Sequence, residues 1–130
     1  MSCKSTEHTL EKLPDTYLSF GSGGGFAGAH DETFFFENGQ VLMSKTFVDS
    51  TIVLPKVDKS EISALINQIL DENLLTYKLF DPGNMYYFLK MKIDGAEAYI
   101  VWGNKREQCP PELRNIYNKL NQLAIREEVK

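Results

Sequence analysis

The stretch Tyr87-Phe88-Leu89-Lys90-Met91-Lys92-Ile93-Asp94-Gly95-Ala96-Glu97-Ala98-Tyr99-Ile100-Val101-Trp102 decides the fold. Asp-Gly between apolar runs signals a two-residue type I′ turn, because both central positions need positive φ. Folding the chain at Asp94-Gly95 sets Ile93 opposite Ala96, Met91 opposite Ala98, Leu89 opposite Ile100 and Tyr87 opposite Trp102. The alternate positions pair Lys92 with Glu97, Lys90 with Tyr99 and Phe88 with Val101. One face is apolar throughout, and the other is polar near the turn and apolar further in. That pattern belongs to a half-buried antiparallel sheet.

Asn38-Gly39 carries the same two-residue signal upstream. It predicts Glu37 opposite Gln40, Phe36 opposite Val41, Phe34 opposite Met43 and Glu32 opposite Lys45, with Phe35–Leu42 and Thr33–Ser44 on the other face. A short strand over Tyr17 to Phe20 runs into Gly21-Ser22-Gly23-Gly24-Gly25-Phe26-Ala27-Gly28. Asp58 and Glu61 have capping-box spacing, and Ile62, Leu65, Ile66 and Ile69 follow on one helical stripe, which predicts a helix near 58–72. Pro110-Pro111 opens a second helix, near 110–125, with Leu113, Ile116, Tyr117, Leu120 and Leu123 on its stripe. Asp81-Pro82-Gly83-Asn84 is a turn. The expected fold is α+β: five strands in a mostly antiparallel sheet, in the order β-β-β-α-β-β-α, with both helices on one face. Residues 1–15 read as a flexible lead-in, 16–126 as one domain and 127–130 as a tail.

The 130 residues are 42% hydrophobic and 25% charged, which suffices for a core without disulfide or metal support. Net charge is −4, from 14 basic and 18 acidic side chains, and Glu97 and Glu107 dilute the basic group Lys90, Lys92, Lys105 and Arg106. Nucleic acid, which calls for a positive field, is disfavoured as a partner. Two cysteines, Cys3 and Cys109, stand far apart and form no framework. No apolar run of ~18 residues is present to span a membrane. Met1-Ser2-Cys3-Lys4-Ser5-Thr6 resembles the start of a mature bacterial lipoprotein, in which Cys3 would carry lipid and residues 4 to about 14 would form a tether. The other reading is an ordinary frayed terminus. The first implies the cell envelope or periplasm, the second the cytoplasm.

Gly23-x-Gly25-x-x-Gly28 matches the spacing of the dinucleotide fingerprint, but that mechanism needs a helix directly after the glycines. Thr33-Phe34-Phe35-Phe36 reads as a strand instead, so no nucleotide or other cofactor is expected. The glycine stretch has two readings: a mobile connection, or bare backbone that lets another molecule approach, with Phe26 as its apolar anchor. Phe26 either folds onto the core or waits for a partner. His30-Asp31-Glu32 alternates faces along a strand, so its three side chains do not converge, and no metal site is expected. The two histidines lack a triad context. Cys109 precedes a helix start, where a thiol pKa can fall, although a quiet, partly buried cysteine is the commoner case. No catalytic constellation emerges, and a non-enzymatic monomer is expected.

With these residues assembled, the chain resembles the emfourin family of small bacterial proteins, whose members inhibit thermolysin-like metalloproteases. The matching parts are Gly24-Gly25-Phe26-Ala27-Gly28 after the first strand, Leu54-Pro55 before the first helix and Tyr86-Tyr87-Phe88. Ile93-Asp94-Gly95 and Pro110-Pro111-Glu112-Leu113 also match, so the likeness spans residues 17 to 123 in order, with the first stretch its specific part. The polar, cysteine-bearing lead-in and a longer Asn38-Gly39 hairpin depart from the family. The resemblance implies a binding module that inhibits a metalloprotease through the loop 21–28, with Gly23, Gly24, Gly25, Phe26, Ala27 and Gly28 as contacts. The alternative is an envelope-associated lipoprotein domain, structural or small-ligand-binding, with no protease target.

Overall fold

The computed structural model describes residues 7–25, 28–103 and 109–128. Its elements in chain order are β1 (Tyr17–Gly24), β2 (Ala29–Phe36), β3 (Val41–Lys45), β4 (Ile52–Leu54), α1 (Lys59–Asp71), β5 (Leu79–Phe80), β6 (Met85–Ile93), β7 (Ala96–Trp102) and α2 (Pro111–Glu128). A single 3-10 turn over Leu74–Thr76 links α1 to β5. The class is α+β, as expected, but the sheet has seven strands rather than five, in the order β4-β3-β2-β1-β6-β7-β5. The two extra strands are the short edges β4 and β5, and the β5–β7 pair is parallel, so the sheet is mixed.

The second hairpin forms in the predicted register from Ile93↔Ala96 to Tyr87↔Trp102. Asp94 and Gly95 take φ of 51° and 87°, as a type I′ turn requires. The first hairpin differs by one residue. Phe35 faces Val41, Phe34 faces Leu42, Thr33 faces Met43 and Glu32 faces Ser44, so Lys45 pairs with Asp31 instead of Glu32. The turn holds three residues, Glu37-Asn38-Gly39, and Gly39 N–H donates to Phe36 O at 2.9 Å. Only Gly39 takes positive φ, while the Asn38 side chain accepts from Gln40 N–H at 2.8 Å. The physical reason is tertiary: Val57 N–H donates to Gly39 O at 2.9 Å, which fixes this turn against the lead-in to α1. A one-residue slip moves side chains to the opposite face. Phe34, Phe36 and Leu42 therefore share one face with Tyr17, and Phe35 and Val41 share the other with Leu18.

Both helices pack on that second face. Ile62, Leu65, Ile66 and Ile69 of α1 and Leu113, Ile116, Leu120 and Leu123 of α2 meet Leu18, Phe20, Phe35, Leu89, Met91 and Ile100 in one core. The Asp58 side chain caps α1 by accepting from Ser60 N–H at 3.0 Å. Helix α2 continues through Glu127 and Glu128, residues assigned to a tail from sequence.

The face away from the helices is the outer face. Residues 7–15, read from sequence as part of a flexible lead-in, lie against one half of it. Gln40 holds them with two bonds, from Nε2 to His8 O at 2.8 Å and from His8 N–H to Oε1 at 2.9 Å. The His8 ring lies 5.0 Å from that of Phe36, and Leu10 packs on Tyr17, Phe34, Phe36 and Leu42. Asp15 O accepts from Gly95 N–H at 3.0 Å, which ties the end of the segment to the second hairpin.

Candidate functional site

The glycine stretch is mostly strand. Gly21 to Gly24 belong to β1, the centre of the sheet, paired with β2 on one side and β6 on the other. The loop expected over 21–28 is thus corrected to the short connection between Gly24 and Ala29. Gly25 and Gly28 flank it with φ of 81° and 63°, and Phe26 and Ala27 lie outside the described residues, as does Cys3. Gly25 N–H donates to Asn84 O at 2.9 Å, which pins the connection to the turn before β6.

Gly21 and Gly23 point to the outer face, where lack of a side chain leaves a trough in the middle of the sheet. A Cβ on Gly21 would stand 2.7 Å from the Phe88 ring, and one on Gly23 would stand 2.5 Å from Tyr86 Oη. Side chains of the flanking strands lean into this space. His30 from β2 stacks on Phe88 from β6, with centroids 5.0 Å apart and planes 7° apart. Tyr99 stands 5.9 Å beyond Phe88, and Phe80 another 6.4 Å on, so four rings cross the sheet from β2 to β5.

A polar cluster borders the rings. Tyr86 Oη and His30 Nδ1 are 2.9 Å apart, and His30 Nε2 lies 3.5 Å from Glu32 Oε1. The fully buried Ser19 donates its hydroxyl to Glu32 Oε2 at 2.7 Å, and Lys90 Nζ approaches the same oxygen at 3.9 Å. Lys90 also lies 5.3 Å over the Tyr99 ring, a cation–π contact. Burial first, then the Glu32 charge and Tyr86, hold the Tyr99 phenol above its ordinary pKa of 10.0. The Thr46 hydroxyl accepts from His30 N–H and donates back to His30 O, which fixes the start of β2.

Strand alternation brings His30 and Glu32 together, two of the three residues read as a broken cluster, and sends Asp31 to the other face opposite Lys45. Among the described residues no group of three or more His, Cys, Asp or Glu could hold a metal. Cys109 is buried, and burial pushes its thiol up to about 11, the Arg114 guanidinium opposing only in part. A thiol so shifted is a poor nucleophile at neutral pH. Ser19, Tyr86, Lys90 and Tyr99 were not singled out as a site from sequence. Their signal was present in the alternation of the second hairpin, but it became a site only once β1 extended past Phe20 to bridge β2 and β6.

No protein-family model matches the chain, and no curated protein matches its sequence significantly. No helix among the described residues is long and apolar enough to cross a membrane.

Proposed function

We propose that the protein is a non-catalytic binding module. Its partner meets the uncovered half of the outer face together with the Gly25–Gly28 connection beside it. The observation that carries this reading is the unequal cover of one sheet face. Residues 7–15 bury the half around Phe36 and Leu42, whereas His30, Tyr86, Tyr99 and Phe80 form an aromatic surface with nothing packed over it among the described residues. A rigid sheet that presents aromatic anchors and a short turn is a common way to recognise a protein. Action by binding rather than catalysis agrees with the raised thiol of Cys109 and the burial of Ser19.

The resemblance to emfourins supplies the partner class, a thermolysin-like metalloprotease inhibited by contact with this end of the sheet. Lipid on Cys3 would place such a module at the cell envelope, and mass spectrometry of the native N-terminal peptide tests that part. The inhibitor role is tested by titrating thermolysin with the protein while following cleavage of a fluorogenic peptide. Saturable inhibition is expected, weakened tens-fold by Phe26→Ala with little change in melting temperature. Full protease activity at tenfold molar excess overturns it. A second reading, a small-ligand binder, draws support from a depression of about 170 Å³ between Phe80, Pro82, Tyr86, Tyr99 and Val101.

A further inference from the structure

Val101 is a small side chain among large ones on the outer face. Its cross-strand neighbours there are Phe88 of β6 and Phe80 of β5, and Tyr99 precedes it by two residues along β7. Asp81 N–H donates to Val101 O at 2.9 Å, which ends β5 at that point and sets Pro82 beside Val101. A Cβ on Gly103 would meet Met85 O at 2.5 Å and Gly83 N at 3.2 Å, so the turn before β6 is drawn against the chain that leaves β7. The outcome is the depression of about 170 Å³, with the buried Val101 as its floor and Phe80, Pro82, Tyr86 and Tyr99 as its walls. Three of the four walls are aromatic, and no lining residue carries a formal charge at neutral pH. Ring faces repel an anion. A sugar or a nucleotide calls for more hydrogen-bonding groups than two phenols supply, and Tyr86 Oη is already engaged with His30 Nδ1 at 2.9 Å. A cation that has no proton to donate needs only the ring faces.

We propose that this depression is an aromatic cage for a quaternary ammonium group, a trimethylammonium head of the choline type. Phe80 and Tyr99 have centroids 6.4 Å apart, so a cation seated between them lies within the ~6 Å reach of a cation–π contact with both. Tyr99 already receives one cation, since Lys90 Nζ lies 5.3 Å over its ring without lining the depression. Glu32, 3.9 Å from that ammonium, offsets its charge, so Lys90 does not turn a second cation away. The same carboxylate is felt at the Tyr99 phenol, whose pKa is raised by burial first and by Glu32 next. The volume is below the roughly 300–1,000 Å³ that encloses a whole drug-sized ligand, so the cage takes the head group and leaves the remainder in solvent. Phe80 and Tyr99, 70% and 41% exposed, are the walls that the methyl groups would cover. This deepens the small-ligand reading of the depression and rests on it, and it makes no use of the protease.

The test is a pair of NMR titrations of the full chain, with choline and with dimethylbutanol, the uncharged isostere in which carbon replaces the nitrogen. Choline should saturate in the millimolar range, its methyl signal moving upfield and the Phe80, Tyr86 and Tyr99 signals shifting with it. Dimethylbutanol should bind at least tenfold more weakly, because only the cation is attracted by the rings. Phe80→Leu keeps apolar bulk at an exposed edge position without a ring, and should weaken choline at least fivefold, whereas Phe80→Tyr should retain it. Sedimentation with phosphatidylcholine vesicles, compared with phosphatidylglycerol vesicles, separates the sources of the head group. Selective sedimentation with the former supports the cage with a lipid as its ligand, and choline saturation without it supports a free solute. Equal affinity for choline and dimethylbutanol overturns the cage and leaves the small-ligand reading standing. Failure of both probes to saturate at high millimolar concentration overturns the two together. Choline binding that is unchanged in Phe80→Leu also overturns the cage, because the cation would then sit elsewhere.

Discussion

The ring of Phe88 lies over Gly21, so close that a Cβ at position 21 would stand 2.7 Å from its Cζ and 1.9 Å from the backbone oxygen of Asp31. The ring could turn aside, but the carbonyl belongs to a paired strand and cannot move alone. Gly21→Ala should therefore cost about 3 kcal/mol, at the upper end of ordinary overpacking. Gly28→Ala meets nothing within 4 Å but holds φ of 63°, so its cost should be about 1 kcal/mol, from left-handed strain alone. Urea midpoints of the two variants check the order, and the reverse ranking would contradict the placement of β1 as a central strand.

Gln40 is buried and holds both backbone groups of His8. Gln40→Ala should destabilise by about 1–3 kcal/mol and loosen residues 7–15. Under native conditions trypsin should then cut after Lys12 at least ten times faster. An unchanged rate would mean that Leu10 and the His8–Phe36 ring contact suffice to dock the segment.

Stability should fall in alkali. In the unfolded chain the Cys109 thiol ionises near its ordinary 9.0, while the folded thiol keeps its proton until about 11. That contribution is fully present below pH 9 and is lost as pH rises towards 11, by up to roughly 2–3 kcal/mol. Tyr117, pushed up to about 12 by burial first and by Tyr87 second, acts in the same direction from pH 10 upward. Urea midpoints at pH 7, 9 and 10.5 should decline, and Cys109→Ala should flatten the first part of the decline. A flat profile in the wild type would show the thiol to be solvated.

Ser19 and Glu32 should behave as one unit. Glu32→Ala removes the acceptor of a fully buried hydroxyl and should cost about 1–3 kcal/mol, whereas adding Ser19→Ala to it should change little. A double-mutant cycle should give a coupling of about 0.5–3 kcal/mol. In Glu32→Gln the Tyr99 phenol should also titrate lower, because a charge that raises its pKa is gone. Ultraviolet titration reads that change directly.

The two glycine turns show what local sequence can and cannot specify. At Gly95 nothing among the described residues stands within 4 Å of where a Cβ would be, and the bonds from Gly95 N–H to Asp15 O and from Asp94 N–H to the Thr16 hydroxyl hold the two-residue turn without altering the register its chemistry predicts. At Gly39 a Cβ would meet Val57 O at 2.4 Å, and that crossing chain selects a three-residue turn that the dipeptide does not foretell. Strands β4 and β5, three and two residues long, are too short to show a period. Low β-propensity made Gly21 to Gly24 read as loop, but pairing on both sides outweighs it. The outer-face site was legible to the extent that alternation puts His30 and Glu32 on one side. Ser19 joins them through the pairing of the consecutive strands β1 and β2, and Lys90 through the distant strand β6, whose place beside β1 no local pattern announces.

The central place of β1 has a cost during synthesis. Its partner β6 begins at Met85, so about 60 residues must be made after Gly24 before that edge can pair, some 3–12 s at the usual rate of translation. For that interval the β1–β2–β3 meander carries an open inner edge, the kind of template on which nascent chains aggregate. Three glycines in its second half, at 21, 23 and 24, deprive that edge of the side chains a foreign strand would grip. The residues that seat His30 and Phe88 in the finished sheet thus also make the waiting strand a poor seed.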